Sequence, residues 1–424
     1  MTIELLQQVR IINPLTKTDE ICDVLIEDGY IRSVNDKIKI SDIPENTSIR
    51  DCQSFILGSG LVDLYSHSGE PGFEERETII SLLKAAAAGG FTRITLLPDT
   101  TSPAIDNPAV VAKLQQLRKA SQLSPLPLLN IWGAITHHVK GEKITELADL
   151  KTAGVVGFAD GDALNNLALV RRVLEYLQPL RKPAAFWCCD GNISADGVMR
   201  EGANSIQWGL PGIPVAAETS AIAALLEIVT ATFTPIHIMR VSTARSVQLI
   251  ADAKSKGLPI TASTTWMHLL LDTKAIKSYN TALNLKSPLG NPEDMMALRR
   301  GVQQGIIDAI AIEHSPYTYE EKTVAFAQAP SGAIGLELAL PLLWQNLVET
   351  GELTALELWK ALSTNPAECL KQSPSNIKVG EKAELTLFNP QETWKVESKN
   401  LHSLSSNTPW LGEELKGKVV GIWC

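Results

Sequence analysis

The feature that most narrows the possible folds is an alternation. Between Leu61 and Ser315 short apolar runs follow one another, each separated from the next by a segment with helix-like patterning. Parallel strands need crossover connections, usually helical, so this order predicts a parallel sheet covered by helices. Eight strands are predicted: Leu61 to His67, Arg93 to Asp99, Leu128 to Thr136, Val155 to Asp160, Pro183 to Asp190, Pro235 to Ser242, Pro259 to Trp266 and Asp308 to Ser315. Eight is the number that closes into a barrel. Helix punctuation supports the register: Asn107-Pro108 predicts an N-cap followed by proline at the first helical position, and Gly89-Gly90 closes TIISLLKAAAA. The predicted class is α/β, a (β/α)8 barrel over residues 56–378. Before about Phe55 and after about Val379 the chain shows short strands and turns instead, as in DVLIEDGYIRSV and VVGIWC. Residues 1–55 and 379–424 are expected to pair into one small composite β-domain.

Composition excludes several partners. With 45% hydrophobic and 20% charged residues, the 424-residue chain can bury a large core. A net charge of −9 without a long Lys/Arg run argues against nucleic acid or an anionic membrane, which both need a concentrated basic face. The opening MTIELLQQVRIINP is acidic and polar where a signal peptide needs an apolar run, and no stretch approaches eighteen uninterrupted apolar residues, so a cytoplasmic location is expected. Six cysteines, at 22, 52, 188, 189, 369 and 424, lack CxxC spacing and read as reduced thiols.

Barrels of this type carry their reactive groups at the carboxyl ends of the strands. Those ends hold Asp63 to His67, Asp99, Thr136 with His137, Asp160, Cys188 to Asp190, Arg240, Trp266 with His268, and Glu313 with His314.

The segment GLVDLYSHSGEPGFEERETIISLLKAAAAGGFTRITLLPDT resembles the opening of the bacterial dihydroorotases of the amidohydrolase superfamily. DGVMREGANSIQWGLPGIPVAAE, HIMRVSTARSVQLI, DAIAIEHSPYTYEEKTVAFAQAPSGAIGLELAL and LSSNTPWLGEELKGKVVGIW resemble later dihydroorotase segments in the same order, so the likeness spans nearly the whole chain. It implies a metal-dependent barrel with a composite β-domain. It also implies reversible closure of carbamoyl aspartate to dihydroorotate, with zinc-bound hydroxide as nucleophile and an aspartate moving the proton.

The residues that would carry this chemistry depart from the family pattern. Where the resemblance implies Asp-x-His-x-His, the chain has Asp63, Leu64, Tyr65, Ser66 and His67, and a phenol replaces one imidazole. Trp187 stands for the histidine ending strand five, and indole has no ligand lone pair. Arg240 replaces the histidine of strand six with a permanent cation, and Glu313 replaces the proton-moving aspartate of strand eight. Asp160 is the surviving candidate for the metal-bridging carboxylate. Among substrate contacts, the family's arginine aligns with Gly69, an asparagine with Asp99, a later asparagine with Lys286, and the final histidine with Tyr317. Losing the arginine removes the bidentate clamp for a substrate carboxylate, and Asp99 is expected to repel that carboxylate.

Several local readings stand beside this one. His67, Asp160 and Glu313 could form a residual one-metal site; Cys188 or Cys189 could be a nucleophile with His237 or His268 as base; His137-His138 reads as a solvated loop pair. Trp187 and Trp266 are expected to fill the volume vacated by metal and substrate. Arg240 is expected to point inward and bond Asp160 or Glu313, assisted by Lys286, because clustered carboxylates need a cation. The functional expectation is a dihydroorotase-like pseudoenzyme without zinc, a homo-oligomer binding aspartate carbamoyltransferase or an active dihydroorotase. The alternative is a divergent active dihydroorotase or another cyclic-amide hydrolase.

Overall fold

A computed structural model describes residues 2–100, 102–120 and 125–424. Eight parallel strands form one sheet in sequence order: Leu61–Val62, Phe91–Leu96, Leu128–Ala134, Gly157–Ala159, Ala184–Trp187, Ile236–Met239, Ile260–Thr265 and Ala309–Ala311. The ring closes at the ends of the first and last strands, where the Glu313 N–H donates to the Tyr65 carbonyl at 3.0 Å and the His67 N–H to that of His314 at 2.7 Å. Each predicted strand is present, but pairing stops short of several predicted carboxyl ends. The first strand, expected to reach His67, pairs continuously only over Leu61–Val62, with a lone bridge from Ser66 to Leu96. Its later residues keep single bonds to the second strand, the Asp63 and Ser66 N–H groups donating to the Arg93 and Thr95 carbonyls at 2.9 Å each.

The helix signals act where the sequence places them. Thr78 caps Ile79–Ala88 in a reciprocal box with Ser81, and Gly90 beyond its end takes a φ of +89°, a left-handed conformation that glycine adopts without steric penalty. The Asn107 side chain accepts the Ala109 N–H at 3.1 Å at the start of Pro108–Ala120. The helix Val215–Thr232 is long and apolar enough to cross a membrane by length and composition. Here it serves as a barrel helix: its buried Glu218 accepts the Ser242 and Thr243 N–H groups at the end of strand six.

Both chain ends contribute to a seven-stranded sheet, made of Ile3–Asn13, Thr18–Glu27, Tyr30–Asn35, Ser48–Asp51, Ile56–Ser59, Leu385–Lys395 and Glu414–Trp423. Ile56–Ser59 bridges Ile3–Asn13 and Leu385–Lys395, so pairing in this sheet runs directly into the first barrel strand. Leu6, Val9, Ile11, Val24, Leu57 and Leu385 form part of its core, apart from the main barrel cluster.

Candidate functional site

At the carboxyl face of the barrel the strand ends bring together residues far apart in sequence. Arg240, fully buried, donates through Nε to the Glu313 carboxylate and through Nη1 to the Gly161 carbonyl at 2.8 Å. Both partners sit at left-handed backbone positions, φ 55° for Arg240 and 53° for Glu313, where their strands turn sharply. The guanidinium also lies 5.4 Å from the Tyr65 ring centroid and 5.5 Å from that of Trp187. Burial opposes the charge of Arg240, but Glu313 first, then Tyr65 and Asp99, outweigh it and hold its pKa above the ordinary value. The expected inward cation is therefore present, paired with Glu313 rather than Asp160.

Asp160 is committed elsewhere. Its carboxylate accepts the Ile135 N–H at 2.7 Å, the Thr136 N–H at 2.9 Å and the Thr136 hydroxyl at 2.6 Å, while burial pushes its pKa up to about 6. The Tyr65 phenol pairs with Ser263 Oγ at 3.0 Å and accepts the Arg240 N–H at 3.1 Å, and burial drives its pKa well up. Trp187 donates through Nε1 to Ser287 Oγ at 2.9 Å. His67 lies 3.3 Å from Asp99 through Nε2 and 3.0 Å from Ser315 Oγ through Nδ1. His67, Asp160 and Glu313 thus have separate partners, and the residual three-ligand arrangement is not assembled. Among the described residues no group of three or more His, Cys, Asp and Glu side chains is placed to hold a metal ion.

The substrate positions also differ from expectation. Lys286 reaches Asp99 at 3.3 Å and the Gly161 carbonyl at 3.1 Å. Burial alone would raise the Asp99 carboxyl, but the neighbouring His67 and Lys286 hold it well below the usual carboxylate range. Asp99 is therefore a compensated charge, and the expected repulsion of a substrate carboxylate is largely cancelled. Gly69 sits in a tight loop in which Phe73 donates to its carbonyl at 2.6 Å. A Cβ at Gly69 would collide with the Phe73 carbonyl oxygen, so this loop geometry requires glycine. The Tyr317 ring lies between Arg76 and Lys322, at 5.0 and 5.1 Å.

A cavity of about 260 Å³ persists at the mouth, lined in part by His67, Arg76, Asp99, Lys286, Glu313 and Tyr317. The expectation of a filled mouth is corrected accordingly. Trp187 does pack beside Arg240, but Trp266 stacks on Trp410 at 5.0 Å, with Gly335 against its indole, and does not line this cavity. Arg76 and Ser315 were not singled out from sequence. Arg76 pairs with Glu321, and the legible signal was Thr318-Tyr-Glu-Glu321, whose capping box fixes that carboxylate.

The nucleophile and loop readings resolve as follows. Cys188 is buried, and burial drives its thiol pKa well up. His237 bonds Thr261 and Ser263, with burial holding its pKa down to about 3, and His268 bonds Thr265 and the Ser287 carbonyl, so neither imidazole is engaged with a thiol. His137 and His138 sit in a partly solvated loop, 3.8 and 3.4 Å from Asp106.

Comparison with known proteins agrees with this architecture. The dihydro-orotase-like family model matches residues 55–246, and the amidohydrolase family model matches residues 203–424. A protein named "Probable dihydroorotase-like protein" from Synechocystis sp. is 40% identical over 440 residues, covering 97% of this chain and 98% of that one. A dihydroorotase from Syntrophus aciditrophicus is 38% identical over 417 residues, covering 98% and 96%. The L-hydantoinase of Arthrobacter aurescens superposes with a TM-score of 0.84 over 99% of this chain and 94% of its own, at 20% identity, a likeness of fold. The chain belongs to the dihydroorotase-like family of the amidohydrolases.

Proposed function

We propose that this chain is a non-catalytic dihydroorotase-like protein that acts by binding another protein of pyrimidine biosynthesis, aspartate carbamoyltransferase first. The observation that carries the reading is the buried Arg240–Glu313 pair at the mouth. The family's zinc centre needs imidazoles and a free carboxylate converging on one point. Tyr65, Trp187 and Arg240 supply a phenol, an indole and a guanidinium, and Asp160 is saturated by Ile135 and Thr136. This donor set does not fit zinc, and we derive no hydrolytic step from it. A retained barrel with such a mouth supports a role carried by the surface.

The test has two arms. Chelator-free protein from the native host is expected to hold no stoichiometric zinc and to cyclise no carbamoyl aspartate. It is also expected to co-elute with aspartate carbamoyltransferase, through an interface above about 1,000 Å². About one or two zinc ions per chain with turnover of carbamoyl aspartate would establish the alternative, a divergent active dihydroorotase, which the name of the Syntrophus relative favours. Recovery of neither aspartate carbamoyltransferase nor an active dihydroorotase from lysate would overturn the partner.

A further inference from the structure

A second cavity of about 260 Å³ opens on the barrel exterior, between the helices Leu167–Leu177 and Val215–Thr232. Its apolar wall includes Leu167 and Val170 from the first helix, Ala224 and Leu225 from the second, and Phe186 and Trp187 from the fifth strand. Apolar walls with a few convergent polar groups mark small-molecule sites, and dry cavities of smaller volume already bind benzene-sized ligands.

The polar groups at this cavity are unequal. Asn165 Oδ1 accepts the Gly191 N–H at 3.4 Å, the Ser220 hydroxyl donates to the Ala216 carbonyl at 2.7 Å, and burial raises the Cys189 thiol. Asp190 is different. Its Oδ1 accepts the Asn192 and Ile193 N–H groups at 2.9 and 3.2 Å, and among the described residues no Lys, Arg or His lines the cavity to balance its charge. The wall thus offers one carboxylate with no lining cation beside a group of apolar side chains.

We infer that this cavity binds a small organic cation, a primary ammonium carrying an apolar group of phenyl size. The ammonium sits against the Asp190 carboxylate and the apolar body against Phe186, Val170 and Leu225. An anion of the same shape meets an uncompensated negative charge, and a neutral isostere forfeits the charge-assisted hydrogen bond. The cavity borders the mouth at Trp187 but shares none of the residues that line the mouth cavity, so its occupancy does not depend on whether the mouth is catalytic.

The test is calorimetric titration of the intact chain with phenethylamine, its neutral isostere 2-phenylethanol, and the anion 3-phenylpropionate. Phenethylamine is expected to bind saturably and at least about tenfold tighter than 2-phenylethanol, with the anion weakest, a ratio equivalent to about 1.4 kcal/mol. Asp190→Asn keeps an oxygen acceptor for the Asn192 and Ile193 N–H groups and is expected to abolish the amine preference while leaving the alcohol unchanged. Ala224→Trp fills the cavity and is expected to block both. The inference is overturned if none of the three probes binds saturably, if alcohol and amine bind equally, or if Asp190→Asn retains the preference. Undiminished binding by an Ala224→Trp protein that melts like the wild type overturns it as well.

Discussion

Replacing Arg240 by Met tests the mouth most directly. Methionine keeps much of the side-chain length and its polarizable bulk, so the substitution deletes charge more than volume. What it removes is the donor to the Glu313 carboxylate, the 2.8 Å hydrogen bond to the Gly161 carbonyl and the cation over the Tyr65 and Trp187 rings. Arg240 is fully buried and the Glu313 side chain is 14% exposed, so solvent does little to replace the pair. Breaking a buried pair by removing one partner costs about 3–5 kcal/mol, mostly for stranding the other charge. With an unfolding entropy of about 2.1 cal/mol/K per residue, a chain of this length melting as one unit loses about 3–6 °C of Tm. The assay is differential scanning calorimetry of Arg240→Met, Glu313→Gln and the double variant. In the double variant no charge is stranded, so its loss is expected to fall well short of the sum of the two single losses. Additive losses, or an Arg240→Met protein melting within about 1 °C of the wild type, would refute the reasoning.

Three further outcomes follow from the structure. Burial, aided by the nearby Glu77 charge, raises Glu337 from 4.5 to about 7 while it accepts the His402 and Ser403 N–H groups. A raised carboxyl contributes stability that is complete below about pH 4.5 and is lost as pH rises through about 7, so the penalty of Glu337→Gln is expected to shrink across that window. The change is at most about 1.4 kcal/mol per pH unit, read by urea unfolding at several pH values; a pH-independent penalty rules it out. Gly69→Ala is expected to destabilise by about 1–3 kcal/mol, because the new Cβ meets the Phe73 carbonyl, and chemical denaturation giving an unchanged midpoint would show that the loop yields freely. Tyr65→Phe leaves the buried Arg240 N–H without its acceptor, while Ser263 keeps His237, so a loss of about 1–3 kcal/mol is expected in the same assay, and a neutral result would mean that water replaces the phenol.

Much of the fold was legible because it rests on local signals. Apolar runs, the Asn107-Pro108 start and the Gly89-Gly90 stop each act within a few residues, and the eight strands lie where those signals fall. Residue types at the strand ends were equally legible: Tyr65, Trp187 and Arg240 stand at barrel positions whatever their partners. Periodicity locates a side chain on a strand end but does not choose its partner. That choice comes from barrel closure, which sets Arg240 beside Glu313, 73 positions away, and turns Asp160 onto the backbone of the neighbouring strand. The charge of Asp99, read from sequence as repulsive, is compensated because Lys286 reaches it across 187 positions. Gly69 reads in sequence as a lost arginine, whereas in the fold it is a residue without which the loop cannot close on Phe73. The sequence by itself determined the strands, their order and the chemistry available at their ends. Only the tertiary structure decided which charges meet, because those pairings depend on through-space distances that closing the ring sets and local patterning does not encode.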